Sequence, residues 1–315
     1  MKRIFPLIFL SFFFIFLLVF PSGVLQSSKN GLLLWFDTLL PTLLPFLIVS
    51  QLILKTPLVH FFQNTWGTCF QRLFHCSENG AFCLLCGFLC GYPVGARLIA
   101  LQIKEHKLTL SEGQYLLSFC NNISPMFCIS YGILQTLKQS QILPYLMIIY
   151  GSAFIFGFMT RPKLLPPQIL STKKQTPSTE NIFQLIDVCI IDSFLIMIKL
   201  CGYLILFTIL GDGLNLLIPQ KFELLSPMIS SFLEITRGLQ VIQSLPDGLY
   251  KTSLCIGTLT FGGLCCIFQT SSVISDTALS LKKYITHKVI ITMIALFLFF
   301  LWSFFVNWFS INSWC

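Results

Sequence analysis

Charged side chains are few in this chain. Its 315 residues hold 20 Lys and Arg and 12 Asp and Glu, about 10% where a soluble domain carries roughly 25%. A soluble globule of this length needs a charged surface, and with a mean hydropathy of +0.81 and 33 phenylalanines this one would expose far more contiguous apolar area than monomers tolerate. The missing solvent is lipid. Catalytic motifs are scarce as well: GxSxG, HExxH and Walker A patterns are absent, and each of those chemistries needs its residues at that spacing. Gly211-Asp212-Gly213 alone is too weak a signal to make an intramembrane protease of Asp187 and Asp192, so no enzymatic activity is expected.

The formal net charge of +8 would point to nucleic acid in a soluble protein. Here the cations sit in short loops between apolar runs, where they set orientation in the membrane, and no nucleic-acid partner is expected. The 13 cysteines are odd in number and mostly lie within apolar runs, where thiols behave as small hydrophobes, so a disulfide framework is not expected. Cys83, Cys86 and Cys90 share roughly one helix face, and their CxxC spacing fits helix packing better than metal or redox chemistry. His60, His75, His106 and His287 fall in or beside polar connections. Neither a metal site nor a cofactor is expected.

A helix crosses a hydrocarbon core of about 30 Å with about 20 apolar residues. Ile4 to Phe20, behind Lys2 and Arg3, reads as an uncleaved first span with a cytoplasmic N terminus. Gly31 to Leu54 follows, kinked at Pro41 and Pro45. Ala81 to Leu101 is interrupted by Gly91-Tyr92-Pro93-Val94-Gly95, which leaves two pieces of about 15 Å each, half a bilayer. A re-entrant hairpin fits these pieces better than a broken span, because it keeps the basic linker farther along on the cytoplasmic side. Tyr115 to Leu134 is interrupted at Asn121-Asn122-Ile123-Ser124-Pro125, with its start marked by Ser111 and Gln114 or, equally, by Thr109 and Glu112. Leu143 to Thr160 ends the first half, and Arg161 to Asn181 is a proline-rich basic linker.

In the second half Phe183 to Leu210 crosses outward, carrying Asp187, Asp192 and Lys199, and Leu225 to Leu245 returns, interrupted at Glu234-Ile235-Thr236-Arg237-Gly238. Leu254 to Ile274, broken at Phe261-Gly262-Gly263, is the second candidate for re-entry. A basic patch of Lys282, Lys283, His287 and Lys288 precedes the last span, Val289 to Phe309. The expected architecture is all-α and polytopic, with about seven full spans and two re-entrant or broken hairpins in a duplicated arrangement. Residues 1–160 form one membrane half, 161–181 a cytoplasmic linker and 182–315 the other half. Such paired discontinuous helices point to a transporter-like site near the midplane.

Backbone broken in lipid leaves amides and carbonyls to be satisfied by other groups or by a ligand. Gly91, Pro93, Gly95, Pro125, Gly238, Gly262 and Gly263 make the breaks. Tyr92, Arg97, Asn121, Asn122, Ser124, Glu234, Thr236 and Gln269 are the polar side chains placed to line a central site. The carboxamides and hydroxyl of Asn121, Asn122 and Ser124 serve equally as solute ligands or as interhelical glue. Arg97 needs an acidic partner if it is deep in the protein, and Glu234 is the natural choice, although Arg237 could pair with Glu234 locally.

The run Gly91-Tyr92-Pro93-Val94-Gly95-Ala96-Arg97-Leu98, followed by Phe119-Cys120-Asn121-Asn122-Ile123-Ser124-Pro125-Met126-Phe127, resembles the signature of the YlbJ-type sporulation integral membrane proteins. Phe232-Leu233-Glu234-Ile235-Thr236-Arg237-Gly238 and Phe261-Gly262-Gly263-Leu264 with Gln269 agree with it, so the resemblance runs from about Gly31 to Phe309. It implies a Gate, or nucleoside-recognition, domain similar to membrane parts of concentrative nucleoside and ferrous-iron transporters. It also implies a multi-pass cell-membrane protein of a spore-forming Gram-positive bacterium, needed for spore maturation and cortex formation. The resemblance does not settle the activity, and two functional readings stand beside it: a transporter-like protein handling a small polar solute or ion, to which the paired broken helices point, or a non-transporting scaffold that binds other spore-envelope membrane proteins.

Overall fold

The computed structural model describes residues 4–56, 67–163, 182–216 and 225–312. Most of the linker, residues 164–181, and His60 lie outside the described residues. Every element among the described residues is a helix, and five are long and apolar enough to cross a membrane: Pro21–Ile53, Ile142–Met159, Ile182–Leu216, Leu249–Ile274 and Leu281–Val306.

Helix α1, Ile4–Val19, packs beside α2, Pro21–Leu34, which passes through a π turn, Trp35–Leu39, into α3, Leu40–Lys55. The wider turn precedes Pro41, whose missing N–H would otherwise leave a gap in the ladder. After α4, Thr68–Phe74, the chain bends by 98° into α5, Glu78–Cys90. Helix α6, Val94–Lys104, folds back on α5. A methyl group on Gly95 would stand 2.9 Å from Gly87 Cα, and at the open end Asn79 Nδ2 donates to the Lys107 carbonyl at 3.3 Å. Both ends of this hairpin therefore lie together, with Gly91-Tyr92-Pro93 at its tip.

Helix α7, Leu110–Cys120, starts at Thr109, whose hydroxyl accepts from Glu112 N at 3.2 Å. Of the two starting frames the sequence offered, this is the one used. Gln114 Oε1 instead accepts from Ser280 N at 2.6 Å, and Glu112 Oε1 accepts from Ser77 N at 2.6 Å. After the break at 121–124 the chain resumes as α8, Pro125–Phe127, continued by π turns over Cys128–Thr136. Helices α9, Ile142–Met159, and α10, Ile182–Leu216, follow.

The second half departs from the sequence expectation. Helix α11, Leu225–Leu233, and α12, Ile235–Gln243, fold against one another so closely that a Cβ on Gly238 would collide with Ser231. The hairpin is therefore Leu225–Gln243 with its tip at Glu234. Helices α13, Leu249–Phe261, and α14, Gly263–Ile274, together make one span-length run. The expected roles of these two segments are thus exchanged. The cause is local: Glu234 caps a new helix with its own carboxylate, 2.6 Å from Arg237 N, whereas Gly262 at φ 86° ends one helix and begins the next without reversing the chain.

The last helix, α15, Leu281–Asn312, buries one stripe, Tyr284, Lys288, Ile291, Ala295 and Phe299, and leaves Met293, Phe297, Phe300 and Phe304 outside. Such an apolar exterior suits lipid. The two hairpins open at opposite ends of the molecule. The α5–α6 hairpin opens where Lys104 meets Asp276 at 2.8 Å. The α11–α12 hairpin opens where Lys251 Nζ reaches the Gln243 carbonyl at 3.2 Å. Helices α13 and α14 connect those two ends.

Candidate functional site

Four breaks in helical backbone meet inside the protein. At the first hairpin tip, Gly91 at φ 75° lies against the Ser124 backbone, which belongs to the α7–α8 break. At the second tip, the Ser231 and Leu233 carbonyls lie 3.3 and 3.2 Å from a Cβ built on Gly263, in the α13–α14 break. The tips and breaks also cross over, since the Tyr92 hydroxyl of the first tip would stand 2.7 Å from a Cβ on Gly262. Only glycine has both the left-handed backbone and the absent side chain that Gly91 and Gly262 require.

Between them lies a cavity of about 50 Å³, whose polar lining is Tyr92, Ser124, Glu234, Thr236 and Gln269. Five of the eight polar residues expected at a central site are thus brought together from four separate segments. Each is held by its own element. Ser124 caps α8 through its hydroxyl, 3.3 Å from Phe127 N, with Pro125 in the first turn where its missing N–H costs nothing. Glu234, buried at 3% exposure, accepts from Arg237 N and from the Thr236 hydroxyl at 3.1 Å. A carboxylate at a helix N-terminus gains from the backbone dipole. Gln269 Nε2 rests 3.2 Å from Cys265 Sγ on α14.

Asn121 and Asn122 stand behind this lining. Asn121 Nδ2 donates to Thr270 Oγ1 at 2.9 Å and to the Tyr284 hydroxyl at 3.1 Å. Asn122 Nδ2 donates to the Phe119 carbonyl at 2.5 Å, and its Oδ1 accepts from Lys288 Nζ at 3.0 Å. They brace the breaks from α14 and α15 and do not line the cavity.

Arg97 does not pair with Glu234. It lies with Leu101 and Lys104 on the outward stripe of α6, while Val94, Ala96, Ile99 and Ala100 face in. Nor does the Arg237 guanidinium turn to Glu234. It reaches Asp212 at 3.0 and 3.3 Å and Gln240 at 2.8 Å. Asp192 pairs with Lys55 at 3.2 Å. Glu234 is left as a buried carboxyl held by hydrogen bonds, with no ion pair among the described residues.

Lys288 is the residue that sequence reasoning missed. Grouped with the exposed patch, it is instead fully buried, bonded to Asn122 and within 3.5 Å of the Asn121 carbonyl, with its Nζ 5.1 Å from the Tyr92 ring centroid. Carbonyls at the C-terminal end of α7 and an aromatic face both favour a cation there. The signal was present in the spacing of Tyr284, Lys288, Ile291, Ala295 and Phe299, which places the lysine on the buried face of α15. Cys83, Cys86 and Cys90 are buried within the packing of the first hairpin.

Long apolar helices, an apolar exterior and polar groups confined to interior breaks define a multi-pass helical membrane protein. The chain is similar to the sporulation integral membrane protein YlbJ of Bacillus subtilis (strain 168), at 22% identity over 92% of this chain and 81% of that protein. No protein-family model and no solved structure matches the chain.

Proposed function

We propose that this is a sporulation-associated membrane protein that handles a small polar solute or ion at the cavity between the four helix breaks, acting as a transporter-like protein and not as an enzyme. The observation that carries the reading is the convergence of Tyr92, Ser124, Glu234, Thr236 and Gln269 on one cavity. Paired discontinuous helices built around a midplane site are the form that solute handling takes in many transporters. The relative's name supplies sporulation, and the four sequence motifs supply the likeness to Gate, or nucleoside-recognition, domains.

In this reading the chain crosses the membrane seven times, with α1, α2–α3, α7–α8, α9, α10, α13–α14 and α15, while α5–α6 and α11–α12 enter from opposite faces and return. Residues 1–160 and 182–315 are then two halves of inverted orientation. Lys104, Lys107, Arg161, Lys163, Lys282 and Lys283 fall on one face, which the positive-inside tendency makes cytoplasmic together with the N terminus. The cavity of about 50 Å³ has room for a few waters or one ion, so a larger solute would enter only as the hairpin tips part.

Reconstituted protein tests this directly. A polar solute or ion from a broad panel should cross proteoliposomes or raise the thermal stability of the chain, and Glu234→Gln and Thr236→Val should abolish the effect. If no solute does either while crosslinking captures one reproducible membrane partner, the protein is a scaffold and the transport reading fails.

A further inference from the structure

Beside the cavity, with Gln269 and Leu200 in the lining of both, lies a wider groove of about 560 Å³ walled by α6, α10 and α14. Its charged groups are Arg97, Lys104, Lys199 and Asp192. Two of these are matched by residues outside the groove, Lys104 by Asp276 at 2.8 Å and Asp192 by Lys55 at 3.2 Å. Arg97 and Lys199 remain, both exposed and neither with an acidic partner among the described residues.

Their positions make this costly. Lys199 falls at the centre of the 35-residue α10. Arg97 lies in the first turn of α6 beyond the hairpin tip, where the positive end of the helix dipole adds to its own charge. Unpaired cations at such depth are expensive and mark functional sites, and two like charges facing one groove repel each other. An anion between them would relieve all three costs, and Gln269 and Tyr203 on the same walls offer it neutral donors.

We propose that this groove binds an oxyanion, phosphate or carboxylate, held between Arg97 and Lys199. The proposal rests on the membrane reading above for the depth of the two cations, but it does not require transport. The oxyanion belongs either to a soluble anion entering at the Lys104 end or to the headgroup of an acidic phospholipid.

The test has two arms. Inorganic phosphate is titrated into the purified chain in neutral detergent, read by calorimetry and thermal unfolding. The chain is also placed in vesicles of phosphatidylcholine with or without phosphatidylglycerol, and retained lipid is read by native mass spectrometry. Saturable binding in either arm is expected, weakened at least tenfold by Arg97→Gln and by Lys199→Gln, preserved by Arg97→Lys and unmoved by Lys283→Gln. Binding of phosphate alone assigns a soluble ligand, and retention of phosphatidylglycerol alone assigns a headgroup. Equal binding by the unaltered chain and the folded double-neutral variant, or no binding in either arm, overturns the proposal. Should the neutral variants not fold, phenylglyoxal modification of Arg97 in the unaltered chain decides: protection by phosphate or phosphatidylglycerol supports the site, and no protection overturns it. Oxyanion binding without flux of any solute would leave this site standing and remove the transport reading; flux without oxyanion binding would do the reverse.

Discussion

Lys288 Nζ lies 3.0 Å from Asn122 Oδ1, so a fully buried lysine on the last helix is tied to the backbone break between α7 and α8, 166 residues away in sequence. No carboxylate pairs with it among the described residues. The amine rests on one good side-chain hydrogen bond, a longer one to the Asn121 carbonyl and the face of Tyr92.

Asn122→Ala therefore strands a buried amine. A hydrogen bond to a charged group contributes about 1.5–3 kcal/mol, and a loss of that order is expected in thermal or denaturant unfolding in detergent. Adding Lys288→Met removes the stranded charge and should recover at least half of the loss, because a buried ion is costly once its partner is gone. Strictly additive losses in the double variant would mean that the two residues do not support one another.

Two glycines in helices should respond with opposite signs to the same change. Gly238→Ala drives a methyl group into the Ser231 backbone of the facing helix, and overpacking of this kind costs about 1–3 kcal/mol. Gly151 sits inside α9 with nothing within 4 Å of a built Cβ, so Gly151→Ala should stabilise by about 0.5–1 kcal/mol. A comparison of the two melting temperatures suffices, and a harmless Gly238→Ala would refute the close packing of α11 on α12.

The hairpin has a topological signature. In a Cys69→Ser background, cysteines introduced by Glu78→Cys and His106→Cys should react with an impermeant maleimide from the same face of the membrane, and one introduced by Asp247→Cys from the other. Labelling of positions 78 and 106 from opposite faces would make α5–α6 a full crossing.

The native thiols report on packing. Cys69 is exposed and Cys201 half-buried, whereas Cys76, Cys83, Cys86, Cys90, Cys120, Cys128, Cys189, Cys255, Cys265 and Cys266 are buried. Brief alkylation of the folded protein, mapped by mass spectrometry, should mark Cys69 first among the described cysteines and spare these ten until the protein unfolds. Early modification of Cys83, Cys86 or Cys90 would show that the first hairpin opens readily and is not a closed packing unit.

The positions of the breaks are legible because glycine and proline act through local backbone chemistry. Gly91-Tyr92-Pro93, Asn121 to Pro125 and Gly262-Gly263 interrupt helices where their residue types predict, whereas Gly95 and Gly238, also expected at breaks, lie inside helices and serve the close approach of a facing helix. What each break does to the chain direction is another matter. Glu234 reads as a polar interruption in a crossing helix, and it is the cap at the tip of a hairpin, because its carboxylate ends one short helix and starts another. Leu225–Leu233 and Ile235–Gln243 hold nine residues each, which is half a bilayer per arm; that length is the clue the interrupted-span reading passed over.

The candidate site divides in the same way. Residues chosen for lying at or near breaks, Tyr92, Ser124, Glu234, Thr236 and Gln269, do share a cavity, since Tyr92, Ser124 and the Glu234–Thr236 pair sit at three breaks, Gln269 lies on the helix that leaves the fourth, and the four breaks meet. Charges chosen for pairing were not legible. Arg97 faces the outer groove, Arg237 takes Asp212, and Lys288 leaves the basic patch for the interior. Partner choice for a long charged side chain depends on which helix face it occupies and which distant segment packs there.

Composition and apolar run length alone determine that this chain belongs in a membrane, because no arrangement of so few charges could clothe it in water. Local stereochemistry alone determines the breaks at Gly91 to Pro93, Asn121 to Pro125 and Gly262-Gly263. Tertiary structure alone decides that the four breaks converge, that the second hairpin turns at Glu234, and that Lys288 is inside while Arg97 and Lys199 share a groove. Those outcomes depend on contacts between segments more than a hundred residues apart, such as Lys288 with Asn122, and in a medium of low dielectric such contacts settle where each charge can rest.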